Sequence, residues 1–250
     1  MAVNCTASGT HTLTTIPRAS SVSATAVNLG SATTVSISRA SSSFTHTLTY
    51  SFGSATGTIA TKTSSTSVSW TPPLSLANQI PSATSGTCTI TCTTYNGSTS
   101  IGSKTCTVKL SVPSSVVPTI SSLSATRVDG TVPSAWGIYV QSKSKATLTI
   151  NGAAGSYGST ISSYSISGGG YSGTSSTLTT GFLNSSGTIT FTAKVTDSRG
   201  RTSAAATVSI SVVAYSAPAF SSYTSQRCLS SGTVNEEGTY VKGTVSYSYA

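Results

Sequence analysis

Residues 187–212 read GTITFTAKVTDSRGRTSAAATVSISV. In the first half Ile189, Phe191, Ala193 and Val195 alternate with Thr188, Thr190, Thr192 and Lys194. In the second half Val208, Ile210 and Val212 alternate with Thr207, Ser209 and Ser211. Period two is the mark of a strand with one buried face. Between the halves lies TDSRGRTS, residues 196–203. Asp197 can accept backbone N–H groups two residues on, and Gly200 can take a positive φ, so this is a turn. The stretch is therefore strand, turn, strand.

The same design stands at residues 86–112, GTCTITCTTYNGSTSIGSKTCTVKLSV. Gly86 aligns with Gly187, Ile90 with Phe191, and Val112 with Val212, an offset of about 100 residues. A second match has the same period. PTISSLSATRV begins at Pro118 and PAFSSYTSQRC at Pro218, pairing Ile120 with Phe220, Leu123 with Tyr223 and Arg127 with Arg227. GIYV at 137–140 then matches GTYV at 238–241, and KATLTI at 145–150 matches KGTVSYSY at 242–249. A period of about 100 residues is the size of an immunoglobulin-like sandwich.

Strict alternation also marks TTVSISR at 33–39 and FTHTLTYSF at 44–52. Thr suits the outward face of a strand because it is β-branched, whereas Ser serves as polar cover and turn material. No stretch has helical spacing except PPLSLANQIP at 72–81, whose flanking prolines leave room for a turn or two. The expected fold class is all-β, with tandem immunoglobulin-like β-sandwich domains. One sandwich is expected at 17–113 and a second at 118–214. Residues 218–250 read as the start of a third, incomplete unit. Residues 1–16, with THTLTTI before Pro17, read as the terminal strand of a preceding unit. Partial units at both ends suit either a fragment of a longer chain or completion by another subunit's strand.

Composition narrows the function. Ser and Thr make up 100 of 250 residues. The acids are Asp129, Asp197, Glu236 and Glu237, and the histidines are His11 and His46. Most acid–base and metal chemistry lacks its materials, so no enzyme, cofactor or metal is expected. No pair of carboxylates suits a glycosidase, and no GxSxG elbow is present. Apolar runs are too short to span a membrane, and the N-terminus lacks a secretory signal. The net charge of +9 comes from missing acids and from scattered basic residues, so nucleic acid is not an expected partner.

The runs GTHTLTTIPRASSV, SFTHTLTYSFGS, SVSWTPPLSLANQIP, WGIYVQSKSKATLTINGAAGSYGSTISSYSISG and TFTAKVTDSRGRT together resemble a family of siphophage tail proteins. These are minor structural proteins of phages of Gram-positive hosts, and their function is unknown. The resemblance covers nearly the whole chain. It implies a virion, tail-associated location, extracellular once assembled, with other tail proteins and further copies of the chain as partners. It brings no catalytic residues. The expected function is a structural β-sandwich spacer of a tail or tail fibre that touches the host wall. The alternatives are a carbohydrate-binding module for cell-wall polysaccharide and a bacterial surface adhesin.

Candidate contact residues follow from composition. Trp136, after Pro133 in a loop-like stretch, is the better candidate for an exposed, sugar-stacking aromatic. Trp70 shares the face of Val68 and reads as core. Tyr157 and Tyr171 lie in a Gly- and Ser-rich region of paratope-like composition, or in a plain pair of hairpins. Arg199 and Arg201 are expected to project from their turn, either toward a phosphate-bearing wall polymer or simply into water. Cys88, Cys92 and Cys106 sit at strand core positions that the repeat fills with Ile189, Ala193 and Ala206. A disulfide between Cys92 and Cys106, facing each other about a turn near Thr99, is the alternative to free thiols. His46 shares a face with Phe44, Leu48 and Tyr50, at the margin of a core or against a neighbouring element.

Overall fold

The structure is a computed structural model, and the residues it describes are 18–128 and 130–248. The strand expected within residues 1–16, with Cys5 and His11, lies outside the described residues, as does Asp129. The chain forms two compact units. Of the described residues, the first contains those up to Pro118 together with Gly155–Ile161 and Asp197–Arg201, and the second contains the others. The sequence had assigned those two inserted segments to 118–214.

The first unit has β1 (Ser21–Ala24), β2 (Val27–Asn28), β3 (Thr33–Ser38), β4 (Phe44–Phe52), β5 (Ala55–Thr63), β6 (Ser67–Trp70), β7 (Ser85–Asn96) and β8 (Thr99–Ser111). They form a three-stranded sheet, β1-β3-β6, and a five-stranded sheet, β2-β8-β7-β4-β5. The turn read between the prolines at 72–81 is a 3-10 helix, Leu74–Gln79.

The second unit has β9 (Ser122–Val128), β10 (Tyr139–Val140), β11 (Lys145–Asn151), β12 (Ile161–Gly168), β13 (Tyr171–Gly173), β14 (Thr177–Thr179), β15 (Gly187–Asp197) and β16 (Ala206–Val213). Its sheets are β9-β11-β14 and β10-β16-β15-β12-β13. The two units thus repeat one arrangement strand for strand. In each, a two-residue strand (β2 or β10) pairs in parallel with the last strand, while the other pairings are antiparallel. Two facing sheets of this kind are an immunoglobulin-like sandwich.

Alternation decides which side chains enter each core. In β3, Thr33, Val35 and Ile37 are buried and Thr34, Ser36 and Ser38 are exposed. In β11, Ala146, Leu148 and Ile150 are buried. In β15, Ile189, Phe191, Ala193 and Val195 are buried. The first core gathers Leu48, Phe52, Trp70, Ile90 and Leu110, with the Tyr50 and Trp70 rings 5.2 Å apart.

The register refines one match of the repeat. Gly86 pairs with Leu110, and Gly187 pairs with Val212. Val212 therefore takes the place of Leu110 rather than Val112, and Val208 the place of Cys106. A two-residue displacement keeps every side chain on its face, so the pattern survives it.

β17 (Ala219–Cys228) and β18 (Tyr240–Ser248) pair only with each other in a two-stranded sheet. Phe220 there is 83% exposed, and Tyr223, Val241 and Tyr247 are exposed too. Arg227 pairs with Val241 and Tyr223 with Val245, as Arg127 pairs with Ala146 and Leu123 with Ile150, so exposed Tyr223, Val241 and Val245 have the buried counterparts Leu123, Ala146 and Ile150.

The buried positions predict the cost of mutation. Leu148→Ala should destabilise the chain by about 2–5 kcal/mol, because it leaves a cavity in a closed core. Ser36→Ala, on the exposed face of β3, should change stability by less than about 0.5 kcal/mol. Urea unfolding of the two variants checks the contrast.

Candidate functional site

The turn at Asp197–Arg201 is built as its residues require. The Asp197 Oδ1 accepts the backbone N–H of Arg199 (3.0 Å) and of Arg201 (2.9 Å). The N–H of Gly200 donates to the Asp197 carbonyl at 2.8 Å, and Gly200 has φ +76°. A left-handed residue there favours glycine.

The arginine side chains do not project, which corrects the expectation of a basic tip. Arg199 is 7% exposed. Its Nε donates to the Ile80 carbonyl (3.2 Å), and its Nη1 to the Ser156 carbonyl (2.6 Å). Its Nη2 donates to the carbonyls of Ala77 (2.8 Å) and Tyr157 (2.6 Å). Ala77 and Ile80 lie at the C-terminal end of the 3-10 helix. The Ala77 carbonyl also accepts the Ile80 N–H (3.1 Å) and the Ile80 carbonyl the Ala83 N–H (3.3 Å), and the five-donor fork of a guanidinium adds a charged donor to both. Arg201 likewise donates from Nη1 to the carbonyls of Pro113 and Val116 (the latter 2.8 Å) and from Nη2 to that of Val112 (2.6 Å). Both cations hold backbone within the first unit. Tyr157, at φ +47°, contributes its carbonyl to this cage while its side chain is part exposed. Tyr171 belongs to the second unit, where its hydroxyl donates to the Phe182 carbonyl at 2.6 Å.

Trp136 is 63% exposed. It ends a 3-10 turn, Ser134–Trp136, and Gly137 follows at φ +63°. The Trp136 N–H donates to the Pro133 carbonyl (3.2 Å), and the Gly137 N–H to the Ser134 carbonyl (3.1 Å). Arg127 of β9 holds this loop. It donates from Nη1 to the Ile138 carbonyl (2.7 Å) and from Nη2 to those of Ser134 (2.9 Å) and Pro133 (3.3 Å). Lys143 and Tyr215 line a groove with Trp136, and no sequence pattern marks either of them. Tyr215 follows β16 by two residues, where no periodicity points to it.

The described cysteines Cys88, Cys92, Cys106 and Cys228 are free thiols. The Cys92–Cys106 bond is absent because the hairpin turns earlier than expected. Asn96 pairs with Thr99 around Gly97 and Ser98, and a bulge beside Tyr95 adds one residue. Cys92 then faces Lys104, and Cys106 faces Ile90. Diagonal partners on a sheet are about 7–8 Å apart, beyond the usual reach of a disulfide. Burial pushes the Cys88 thiol up to about 11, so it is inert at neutral pH.

His46 is fully buried. Its Nε2 shares a 2.9 Å hydrogen bond with the Ser20 hydroxyl, and the Ser20 N–H donates to the Thr94 hydroxyl at 2.9 Å. Burial pushes the imidazole below its ordinary 6.5; the Thr63 backbone opposes this and the Arg39 charge adds to it. Among the described residues no group of three or more His, Cys, Asp and Glu is arranged to hold a metal ion. No helix among them is long and apolar enough to cross a membrane.

Two predictions follow from these contacts. Arg199→Ala should lower stability by about 2–3 kcal/mol, since hydrogen bonds to a charged group are lost, and Arg199→Lys should recover less than half. Urea unfolding of both variants reads this. His46 has a folded value below its unfolded one. Its contribution is therefore complete above pH 6.5 and is lost as pH falls below it. His46→Gln should flatten that acid limb in a pH series of thermal melts, and an unchanged limb would exclude His46 as its cause.

Similar solved structures include fibronectin(III)-like modules of Clostridium thermocellum CbhA, at 15% identity and TM-score 0.30 over 78% of this chain and 95% of that one. The chicken CNTN1 FN1-FN3 domains match at 10% identity and TM-score 0.28 over 78% of this chain and 66% of theirs. A Dscam structure, described as the structural basis for isoform specificity, matches at 12% identity and TM-score 0.33 over 77% of this chain and 47% of that one. A search of curated proteins finds no match. The model of the family described as "Siphovirus protein of unknown function (DUF859)" matches residues 3–235. That match spans nearly the whole sequence, and the chain belongs to this siphovirus family.

Proposed function

We propose that the chain is a structural protein of the siphovirus virion, a β-sandwich spacer of the tail or a tail fibre that meets the host wall. The observation that carries this reading is the repetition of one sandwich inside a siphovirus family member. Repeated sandwiches covered with hydroxyls suit a role that depends on extent and durability. Its partners are then other virion proteins and further copies of itself, and it lies outside the cell once the particle is assembled. The role is not catalytic and needs no cofactor.

The positive charge supports no nucleic-acid role. Arg127, Arg199 and Arg201 are engaged with backbone carbonyls, as is Arg39 with that of Ser64. Lys62 stands over the Tyr95 ring at 3.0 Å. Each of these five cations is already engaged with a carbonyl or a ring, which weighs against a phosphate-binding role for them.

Exposed Trp136 favours a second reading, binding of cell-wall polysaccharide. The adhesin reading, by contrast, draws nothing from the siphovirus family.

Peptide mass spectrometry of purified particles, with antibody labelling by electron microscopy, tests the structural role. The expected result is several copies per particle and label on the tail. Particles free of the chain would contradict it. Pull-down on purified wall tests the second reading, with binding that weakens as salt rises.

A further inference from the structure

We propose that the second unit carries a saccharide subsite between Trp136 and Tyr215, selective for pyranose rings that bear a negative charge. It rests on the wall-polysaccharide reading and names the residues and ligand class.

The groove has a volume of about 320 Å³ and is lined by Val132, Pro133, Trp136, Val140, Lys143 and Tyr215. Its volume suits one or two sugar rings. Trp136 and Tyr215 are both exposed, at 63% and 42%. Neither ring is needed to close the core of the unit, which Leu148, Phe191 and Ile210 already fill. Yet the Trp136 loop is firmly held. Arg127 donates to three of its carbonyls, and the 3-10 turn fixes its backbone. An aromatic surface held in place but left in water is ready to stack on the apolar C–H face of a pyranose, at little cost in ordering.

Charge supplies the selectivity. The Lys143 Nζ lies 4.9 Å above the Tyr215 ring, at the edge of the groove. Among the described residues no carboxylate pairs with it. Close along β11, the Lys145 Nζ lies 4.8 Å above the Phe182 ring. An ammonium on an aromatic face keeps N–H groups free for a second acceptor. A carboxylate on the sugar would meet Lys143 while the ring lies on Trp136. A neutral sugar gains only the stacking.

Calorimetric titration of the whole chain with a hexuronate oligosaccharide, and with a neutral oligosaccharide of the same length, tests the proposal. Trp136 fluorescence gives a second signal, since the other tryptophan, Trp70, is buried. The acidic sugar should bind, with the neutral one weaker by about fivefold or more. Trp136→Ala should weaken binding by about tenfold and leave the melting temperature unchanged. Lys143→Gln should abolish the preference for the acidic sugar. Equal binding of the two sugars, binding that survives Trp136→Ala, or no binding of either would overturn the proposal. Wall binding that persists in Trp136→Ala would leave the wall reading standing and remove this subsite alone.

Discussion

The two sandwiches must close their cores with little apolar material, because only 36% of the chain's residues are hydrophobic. The solution is strict alternation. Small apolar groups fill the inner positions, and hydroxyl residues cover the outside. Interior hydroxyls also mend the backbone where the ladders break. The Ser144 hydroxyl accepts the Val140 N–H at 3.0 Å, Thr180 that of Ala146 at 2.9 Å, and Ser203 that of Val195 at 3.2 Å. A buried N–H without a partner is costly, and a short hydroxyl side chain supplies one without adding charge. The arginines serve the same end, since each fork gathers several backbone carbonyls at once.

The repeat links this chemistry to function. Two sandwiches share one strand order, yet their core residues differ, with Cys88 replaced by Ile189 and Cys92 by Ala193. What persists is the alternation and the turn. Such a chain is suited to a scaffold, since hydroxyls cover the outer faces of its sandwich strands and its described cysteines are buried or partly buried free thiols. In the groove at Trp136 the fold of the second sandwich holds an aromatic ring in water.

Much of this was legible in the sequence. Val35 and Ile37, or Phe191 and Val195, announce their burial by period two, and the offset of about 100 residues announces the second sandwich. The Asp197 and Gly200 turn was legible for the same local reason. The destination of Arg199 was not, because its carbonyl partners stand as far as 122 residues away in sequence. The Cys92 pairing failed on turn chemistry. Gly97-Ser98, with Gly97 at φ +61°, is a two-residue hairpin loop with glycine at its first position, and it sets the turn ahead of Thr99. Tyr215 and Lys143 meet Trp136 only through the fold, so no spacing could have joined them.

Hydrogen exchange of the whole chain, followed by mass spectrometry, reads directly whether so hydroxyl-rich a sequence is packed as described. Amides of β4, β7, β11 and β15, between buried apolar side chains, should exchange slowly and cooperatively, and those of β17 and β18 much faster. Rapid exchange throughout, with no protected strands in either sandwich, would contradict it.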